Sequence, residues 1–320
     1  MAEAAAPRTL GVCADDFGIG EDVGSAILDL AWANRVSAVS CLVNGPAWHR
    51  RAHLLLPLPR RLQRGLHFNL TEGRPLSESL RRIWPTLPPL PRLLRDALLR
   101  RLPLEALQAE WRAQWRALVD ETGRVPDFVD GHQHVHHLPG VREIVLAAVA
   151  AAEVPVAVRG TGRVAGPASP LKRLLIEATG GRALQRQLER RGVPHNEVLL
   201  GAYDFRDTDY RGLMRRWLRA APARGGLLFC HPGAGALAGD AIAAARQREA
   251  AYLGSDAFLA DLDEAGVSLG PAWAEGPAPV DDVGQQHRQD GGQHGRRSSA
   301  RRAPGSRPPA PCRTRHRPAQ

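Results

Sequence analysis

Residues 9–16 read TLGVCADD, an apolar run that ends in two adjacent carboxylates. Three other stretches place His or Asp at the end of a candidate buried strand: GLHFNLT at 65–71, DGHQHVHH at 130–137 and GGLLFCHPG at 225–233. The carboxyl ends of the strands in a β/α fold meet on one face, and sites are built there. We therefore expect these four polar ends to converge although they lie far apart in sequence.

Candidate strands and helices alternate along the chain, which is typical of a parallel sheet or barrel and predicts an α/β fold. Strands are predicted at residues 9–15, 36–43, 64–70, 126–131, 155–159, 197–201, 225–230 and 267–271. Helices are predicted at residues 21–33, 103–121, 139–153, 208–219 and 240–254. Two irregular segments, 72–102 and 160–196, interrupt the alternation. Each is expected either to cover the substrate site or to pack on the outside of the barrel.

The stretch DGHQHVHH holds four of the chain's 12 histidines within six positions. If it is extended, His132, His134 and His136 share one face, whereas a helical turn after His132 brings only His132 and His136 together. Either geometry lets two imidazoles converge on one point, and neutral imidazole is the commonest metal ligand in proteins. The stretch therefore predicts a metal site, with a solvated His-rich loop as the alternative.

Six short motifs resemble the YdjC-like carbohydrate deacetylases, a family that includes chitooligosaccharide and hopanoid-cluster deacetylases. The motifs follow the family order between residues 9 and 273: ADDFG at 14–18, VNG at 43–45, GLHF at 65–68, EGRPL at 72–76, DGHQHVH at 130–136 and CHP at 230–232. The resemblance implies a distorted β/α barrel over residues 1–275, a divalent metal ion and hydrolysis of an N-acetyl group on a sugar.

The resemblance also implies roles for individual residues. Asp16, His67 and His132 match the family's metal ligands, and Asp15 matches the carboxylate that accepts a proton from water. On a regular strand Asp15 and Asp16 would point to opposite faces, so the chain must turn there for both to reach the site. The division of roles between the two stays open, and a helix cap near residue 21 is the alternative for one of them.

Four more residues are candidates for the site. His231 is expected to protonate the leaving amine or to support the oxyanion, unless the following Pro-Gly turn holds it in the core. His134 and His136 are expected to orient His132 or to donate to the substrate, and one of them could replace His132 as ligand. Arg159 is expected to bind substrate, to hold Asp15 or to form a surface ion pair.

The proposed ligands predict one divalent metal ion. An acetamide resists hydrolysis, and a divalent cation promotes the reaction because it lowers the pKa of bound water and stabilises the oxyanion. Two imidazoles favour Zn²⁺ or another transition metal. Mg²⁺ is also compatible if several waters complete its octahedron.

The charge of the chain is concentrated at its end. Residues 276–320 contain nine arginines and three aspartates, which is +6 of the formal net charge of +10. This segment is rich in Pro, Gly and Gln and is predicted to be a disordered basic tail, because it cannot bury enough apolar surface to fold. Its paired arginines could bind RNA or anionic lipid weakly, but we expect no specific nucleic acid partner.

No apolar run reaches the roughly 20 residues that span a bilayer, and the first residues do not resemble a signal peptide. We therefore expect a cytoplasmic protein without a transmembrane segment, and we leave a homodimer open. The expected function is metal-dependent deacetylation of an N-acetylated sugar or glycolipid. The alternatives are a metal-dependent phosphoesterase and a non-catalytic metal-binding or RNA-associated protein.

Overall fold

The structure is a computed structural model that describes residues 8–167, 170–235, 239–271 and 273; the predicted tail, residues 276–320, lies outside them. Within this part of the chain eight strands alternate with helices. The strands are β1 (Arg8–Phe17), β2 (Ala38–Cys41), β3 (Gln63–Phe68), β4 (Phe128–Gly131), β5 (Ala157–Val158), β6 (Val198–Leu200), β7 (Gly226–Cys230) and β8 (Val267–Leu269). Every predicted strand is therefore present, with bounds that differ by a few residues.

Eleven α-helices lie between and after these strands in the described ranges. They are α1 (Glu21–Trp32), α2 (Trp48–Arg51), α3 (Glu78–Ile83), α4 (Leu90–Leu98), α5 (Leu104–Thr122), α6 (Val141–Ala150), α7 (Pro170–Ile176), α8 (Arg182–Arg191), α9 (Tyr210–Ala220), α10 (Ala243–Leu253) and α11 (Asp256–Glu264). Short 3₁₀ turns cover Ala52–Leu55 and His132–His137, and a π turn covers Glu177–Gly181. None of these described helices is both long and apolar enough to cross a membrane.

All strands of the sheet run parallel in the order β5-β4-β3-β2-β1-β7-β6, and β8 pairs with the first three residues of β1. The two ends of this sheet meet where Val164, a few residues after β5, forms a parallel bridge with Leu199 of β6. A complete barrel would pair two full strands here, but only this isolated bridge joins the two ends of the sheet in the described residues. The barrel is therefore incomplete at this point. This arrangement confirms the predicted distorted β/α barrel.

The central strand β1 is buried from Leu10 to Phe17, as expected for a parallel strand that is covered on both faces. Helix α5 packs outside β3, where the ring of Trp111 meets that of Phe68 edge-on at 5.0 Å between centroids. The carboxyl ends of β1, β3, β4 and β7 carry the four polar stretches. The fold therefore brings them to the same end of the barrel.

The segments predicted as irregular, 72–102 and 160–196, each contain two helices, and this part of the prediction is wrong. The first contains α3 and α4, and the second contains α7 and α8 joined by the π turn. Prolines misled the prediction at α4, because they lie at its first turn, where proline is tolerated. In the second segment Gly180 has a φ of 156°, which interrupts but does not end the helical region.

The contact between β3 and β4 leaves no room for a side chain at Gly65. A Cβ atom built there would lie 2.2 Å from the Phe128 ring. We expect Gly65→Ala to lower the free energy of unfolding by about 1–3 kcal/mol, because overpacking a core costs that much. Urea unfolding of Gly65→Ala, Phe128→Leu and the double variant measures the effect. The smaller Leu should relieve the clash, so strictly additive losses would contradict this packing.

Candidate functional site

The end of β1 turns so that two neighbouring carboxylates reach one cavity. Asp16 has a φ of 73°, and the pairing of β1 with β2 shifts register between Ala14 and Phe17. Both Asp15 and Asp16 are buried and line the same cavity. The turn expected from the sequence is therefore present, and it explains how consecutive residues of a strand face the same space.

Asp16, His67 and His132 form a compact buried group at the ends of β1, β3 and β4. One ligand atom from each lies within 4.8 Å of the other two. Asp16 Oδ1 is 3.2 Å from His67 Nε2 and 3.0 Å from His132 Nδ1. One carboxylate and two imidazoles are the donors of a three-ligand divalent metal site that keeps open positions. The chemistry and the convergence of these donors fit a single divalent cation.

The protonation of the group follows from its own charges. Burial raises the pKa of Asp16, but Arg246 and His132 outweigh burial and hold that pKa well below its usual range. Burial lowers the pKa of His67, while Asp130 and Asp16 raise it to about 10. The same balance, with Asp16 and Glu72 as partners, raises the pKa of His132 to about 8. In the metal-free chain both rings are therefore expected to be protonated on both nitrogens, and so positively charged, at neutral pH.

Asp130 orients the ring of His67 through Nδ1, the ring nitrogen that does not face Asp16. Its Oδ1 lies 2.6 Å from His67 Nδ1 and also accepts a hydrogen bond from Ser40 Oγ at 2.5 Å. When Nδ1 donates to this carboxylate, Nε2 faces Asp16 and, once deprotonated, is free to bind a metal. Asp130 is the first residue of the DGHQHVHH stretch, and its role was not predicted from the sequence.

Arg159, fully buried after β5, binds two carboxylates at once. Its guanidinium donates to both oxygens of Asp15, at 2.6 and 2.7 Å, and lies 2.5 Å from Asp130 Oδ2. Of the three expectations for Arg159, the structure shows the contact with Asp15. The same pairing accounts for a second buried acidic group, formed by Cys13, Asp15 and Asp130. Arg159 already supplies a positive charge to that group.

Two residues without a predicted role contact the ligand group directly. Arg246 of α10 donates to Asp16 Oδ2 at 2.8 Å and to Asp240 at 2.6 Å. Glu72 places Oε1 at 3.1 Å from His132 Nε2. No signal in the sequence around Arg246 points to the site, whereas Glu72 belongs to the quoted EGRPL motif.

The His-rich stretch adopts neither of the two regular geometries considered from the sequence. It forms a 3₁₀ turn in which Gln133 and His134 have positive φ values of 51° and 62°. His134 lines the cavity, while His136 donates from Nε2 to the Arg159 carbonyl at 2.9 Å. Burial lowers the pKa of His136 to about 4. In the described ranges neither ring is hydrogen-bonded to His132.

His231, which directly follows β7, also lines the cavity. Its ring meets those of Phe205 and Phe229 edge-on, at 5.3 and 5.5 Å between centroids. Burial lowers the pKa of His231 to about 4, so the imidazole is neutral at neutral pH. Its backbone N–H donates to Glu249 at 2.5 Å, and the Tyr203 hydroxyl donates to the same carboxyl group.

The cavity has a volume of about 580 Å³. Its polar end contains the predicted site residues Asp15, Asp16, His67, His132 and His231. The remaining wall is largely aliphatic and aromatic, with Ile19, Leu90, Leu94, Leu138, Phe205, Phe229 and Ile242. This size suits a small-molecule ligand, and a few polar groups at one end of an apolar cavity are typical of such sites.

Comparisons with known proteins find relatives of this chain and a solved structure that shares its fold. Chitooligosaccharide deacetylases from Salmonella heidelberg and Citrobacter koseri are each 35% identical over 162 residues, which is 48% of this chain and 59% of theirs. The chain thus spans less than two thirds of the length of these curated relatives. A crystal structure from Enterococcus faecalis V583, provisionally assigned to cellobiose-phosphate cleavage, shares the fold with a TM-score of 0.64 at 20% identity, covering 83% of this chain and 98% of that one.

The family model that describes a YdjC-like protein matches residues 9–264. This match extends from β1 to the last residue of α11 and so includes every residue of the Asp16, His67 and His132 group. Since it covers most of the sequence, the chain belongs to the YdjC-like protein family.

Proposed function

We propose that this chain is a metal-dependent deacetylase that hydrolyses the N-acetyl group of an amino sugar or of a sugar-bearing lipid. The observation that carries the proposal is the buried group of Asp16, His67 and His132 at the polar end of a cavity that Asp15 also lines. The relatives named chitooligosaccharide deacetylases support a sugar as the substrate. The rest of the cavity wall is largely apolar, which suits a sugar that is attached to an apolar group such as a lipid.

In this proposal Asp16, His67 and His132 hold one divalent cation, either Zn²⁺ or Mg²⁺. When bound, such a cation polarises the amide carbonyl and makes water a better nucleophile. Asp130 keeps Nε2 of His67 directed at Asp16 through the 2.6 Å contact with Nδ1. Arg246 holds the second oxygen of Asp16, which leaves Oδ1 facing both imidazoles.

Asp15 is the proposed proton acceptor. Arg159 binds both of its oxygens, so the carboxylate is fixed in orientation. Oδ1 also accepts from Cys13 Sγ, which leaves Oδ2 with a further lone pair for the attacking water. The neutral ring of His231 then donates a hydrogen bond to the developing oxyanion. The proton that Asp15 accepted finally passes to the nitrogen of the leaving amine.

A phosphoesterase is less well supported by the cavity. Phosphoryl transfer is favoured by cationic side chains that bind the phosphate oxygens. Of the described cavity residues, the cations Arg246 and Lys172 already bind Asp16, Asp240 and the Tyr203 carbonyl. Absence of phosphate release from a phosphorylated sugar, measured beside acetate release, would separate the two functions.

The metal assignment predicts which histidines matter. His67→Ala and His132→Ala should each lower the affinity for Zn²⁺ by at least about ten-fold, because each removes a ligand. His49→Ala is the matched control, since His49 is exposed and pairs with Glu121 on the protein surface. Calorimetric titration of the metal-free chain measures the affinities, and circular dichroism checks the fold. Equal affinities in all three variants would refute the assignment.

The raised histidine pKa values predict that metal binding releases protons. A cation must displace the protons of His132 and His67, whose pKa values are about 8 and 10. The apparent affinity should therefore rise with pH, with about two protons released per ion below pH 8 and about one between pH 8 and 10. Titrations in buffers of different ionisation enthalpy count these protons. An affinity that does not change with pH would contradict the expectation.

The two carboxylates of β1 should respond differently to the loss of charge. Asp15→Asn keeps the shape but removes the proton acceptor, so acetate release should fall roughly 100-fold while the metal stays bound. Asp16→Asn should lose the metal. Acetate release from N-acetylhexosamine oligomers and N-acetylated glycolipids, with elemental analysis of each variant, measures both. If the two variants exchange these phenotypes, the roles are swapped, and near-normal rates in both would refute the mechanism.

A further inference from the structure

Exposed leucines are concentrated on two helices of this protein. Twelve large apolar side chains are exposed in the described ranges, and five of them lie on α7 or at the end of α4. These five are Leu98, Leu99, Leu171, Leu174 and Leu175, with exposed fractions from 51% to 75%. Single exposed leucines are ordinary on a protein surface, but a concentration of this kind marks an interaction surface.

Both helices also form walls of the cavity. Leu90 and Leu94 of α4 line it, and so does Leu175 of α7. Leu98 follows Leu94 by one helical turn, and Leu171 precedes Leu175 by one turn, so each pair lies on one helix face. Each helix therefore carries a leucine stripe that runs from the cavity wall to the protein surface.

The charges beside these stripes are positive. Residues 90–101 contain four arginines and one aspartate. Helix α7 contains Arg173 and no acidic residue, while its Lys172 lines the cavity and donates to the Tyr203 carbonyl. Asp96 pairs with Arg92 and Arg95, while Arg100 and Arg101 form no ion pair in the described ranges. Helices with leucines on one face and basic residues beside them are typical of segments that lie in the interface of an anionic membrane.

We propose that α4 and α7 form a docking face for an anionic lipid bilayer. The leucines enter the boundary of the acyl chains, and the arginines bind the phosphates of the headgroups. A second copy of this chain is a poorer occupant, because a two-fold contact through this face would bring its excess arginines together. Docking places the mouth of the cavity at the bilayer surface, where a lipid-borne sugar can enter. The proposal concerns binding, so it stands apart from the proposed hydrolysis.

Vesicle partitioning of the full chain tests the docking face. We expect the chain to bind vesicles of phosphatidylcholine and phosphatidylglycerol more tightly than vesicles of phosphatidylcholine alone. Leu98→Ser/Leu171→Ser removes one leucine from each helix and should lower partitioning onto the anionic vesicles by at least about ten-fold, because each leucine loses apolar burial in the membrane. Neither leucine lines the cavity, so acetate release from a water-soluble substrate should not change.

The matched control is Leu56→Ser/Leu259→Ser, which removes two similarly exposed leucines that lie outside both helices and the cavity. This variant should partition like the parent chain. If Leu98→Ser/Leu171→Ser also partitions like the parent, charge elsewhere in the chain accounts for the binding and the proposal is overturned. It is equally overturned if the parent chain does not bind the anionic vesicles. In that case, a dimer in sedimentation that the same leucine substitutions dissociate would show that the face binds a second copy of this chain.

Discussion

The rest of the site depends on the ion pairs that the buried guanidinium of Arg159 forms. The guanidinium binds both Asp15 and Asp130, two buried carboxylates, and a buried carboxylate without a positively charged partner is costly. Burial raises the pKa of Asp130, yet Arg159 and His67 bring it to about 2. Removing one partner of such a buried pair typically costs about 3–5 kcal/mol. The same interaction fixes the proposed proton acceptor and, through Asp130, the orientation of His67.

Several features of the site could be predicted from the sequence because they follow from the residue pattern of individual strands. Apolar runs that end in Asp or His predicted strands whose carboxyl ends meet, and the barrel brings Asp16, His67 and His132 together. The need for a turn between Asp15 and Asp16 followed from the period of two in a strand, and the positive φ of Asp16 meets it. The convergence of the strand ends and the turn needed only strand periodicity and the parallel arrangement of strands, whereas the choice of Asp16, His67 and His132 as ligands came from the resemblance to the YdjC-like deacetylases.

Other features could not be predicted because they depend on distant parts of the chain. Arg246 lies 230 positions after Asp16 and reaches it from α10, an alanine-rich helix whose sequence shows no feature that marks a site. The pairing of Asp130 with both Arg159 and His67 needs the register of three strands. The turn at His132–His137 was missed because two non-glycine residues adopt positive φ there, a conformation that few sequence signals indicate.

The central claim is that one divalent cation binds Asp16, His67 and His132, and X-ray diffraction on both sides of the zinc absorption edge tests it most directly. Crystals of the zinc-loaded chain should show a single anomalous peak inside the barrel, about 2.0–2.2 Å from a ligand atom of each of these residues. A peak beside Cys13, Asp15 and Asp130, or no peak in the cavity at saturating zinc, would contradict the account.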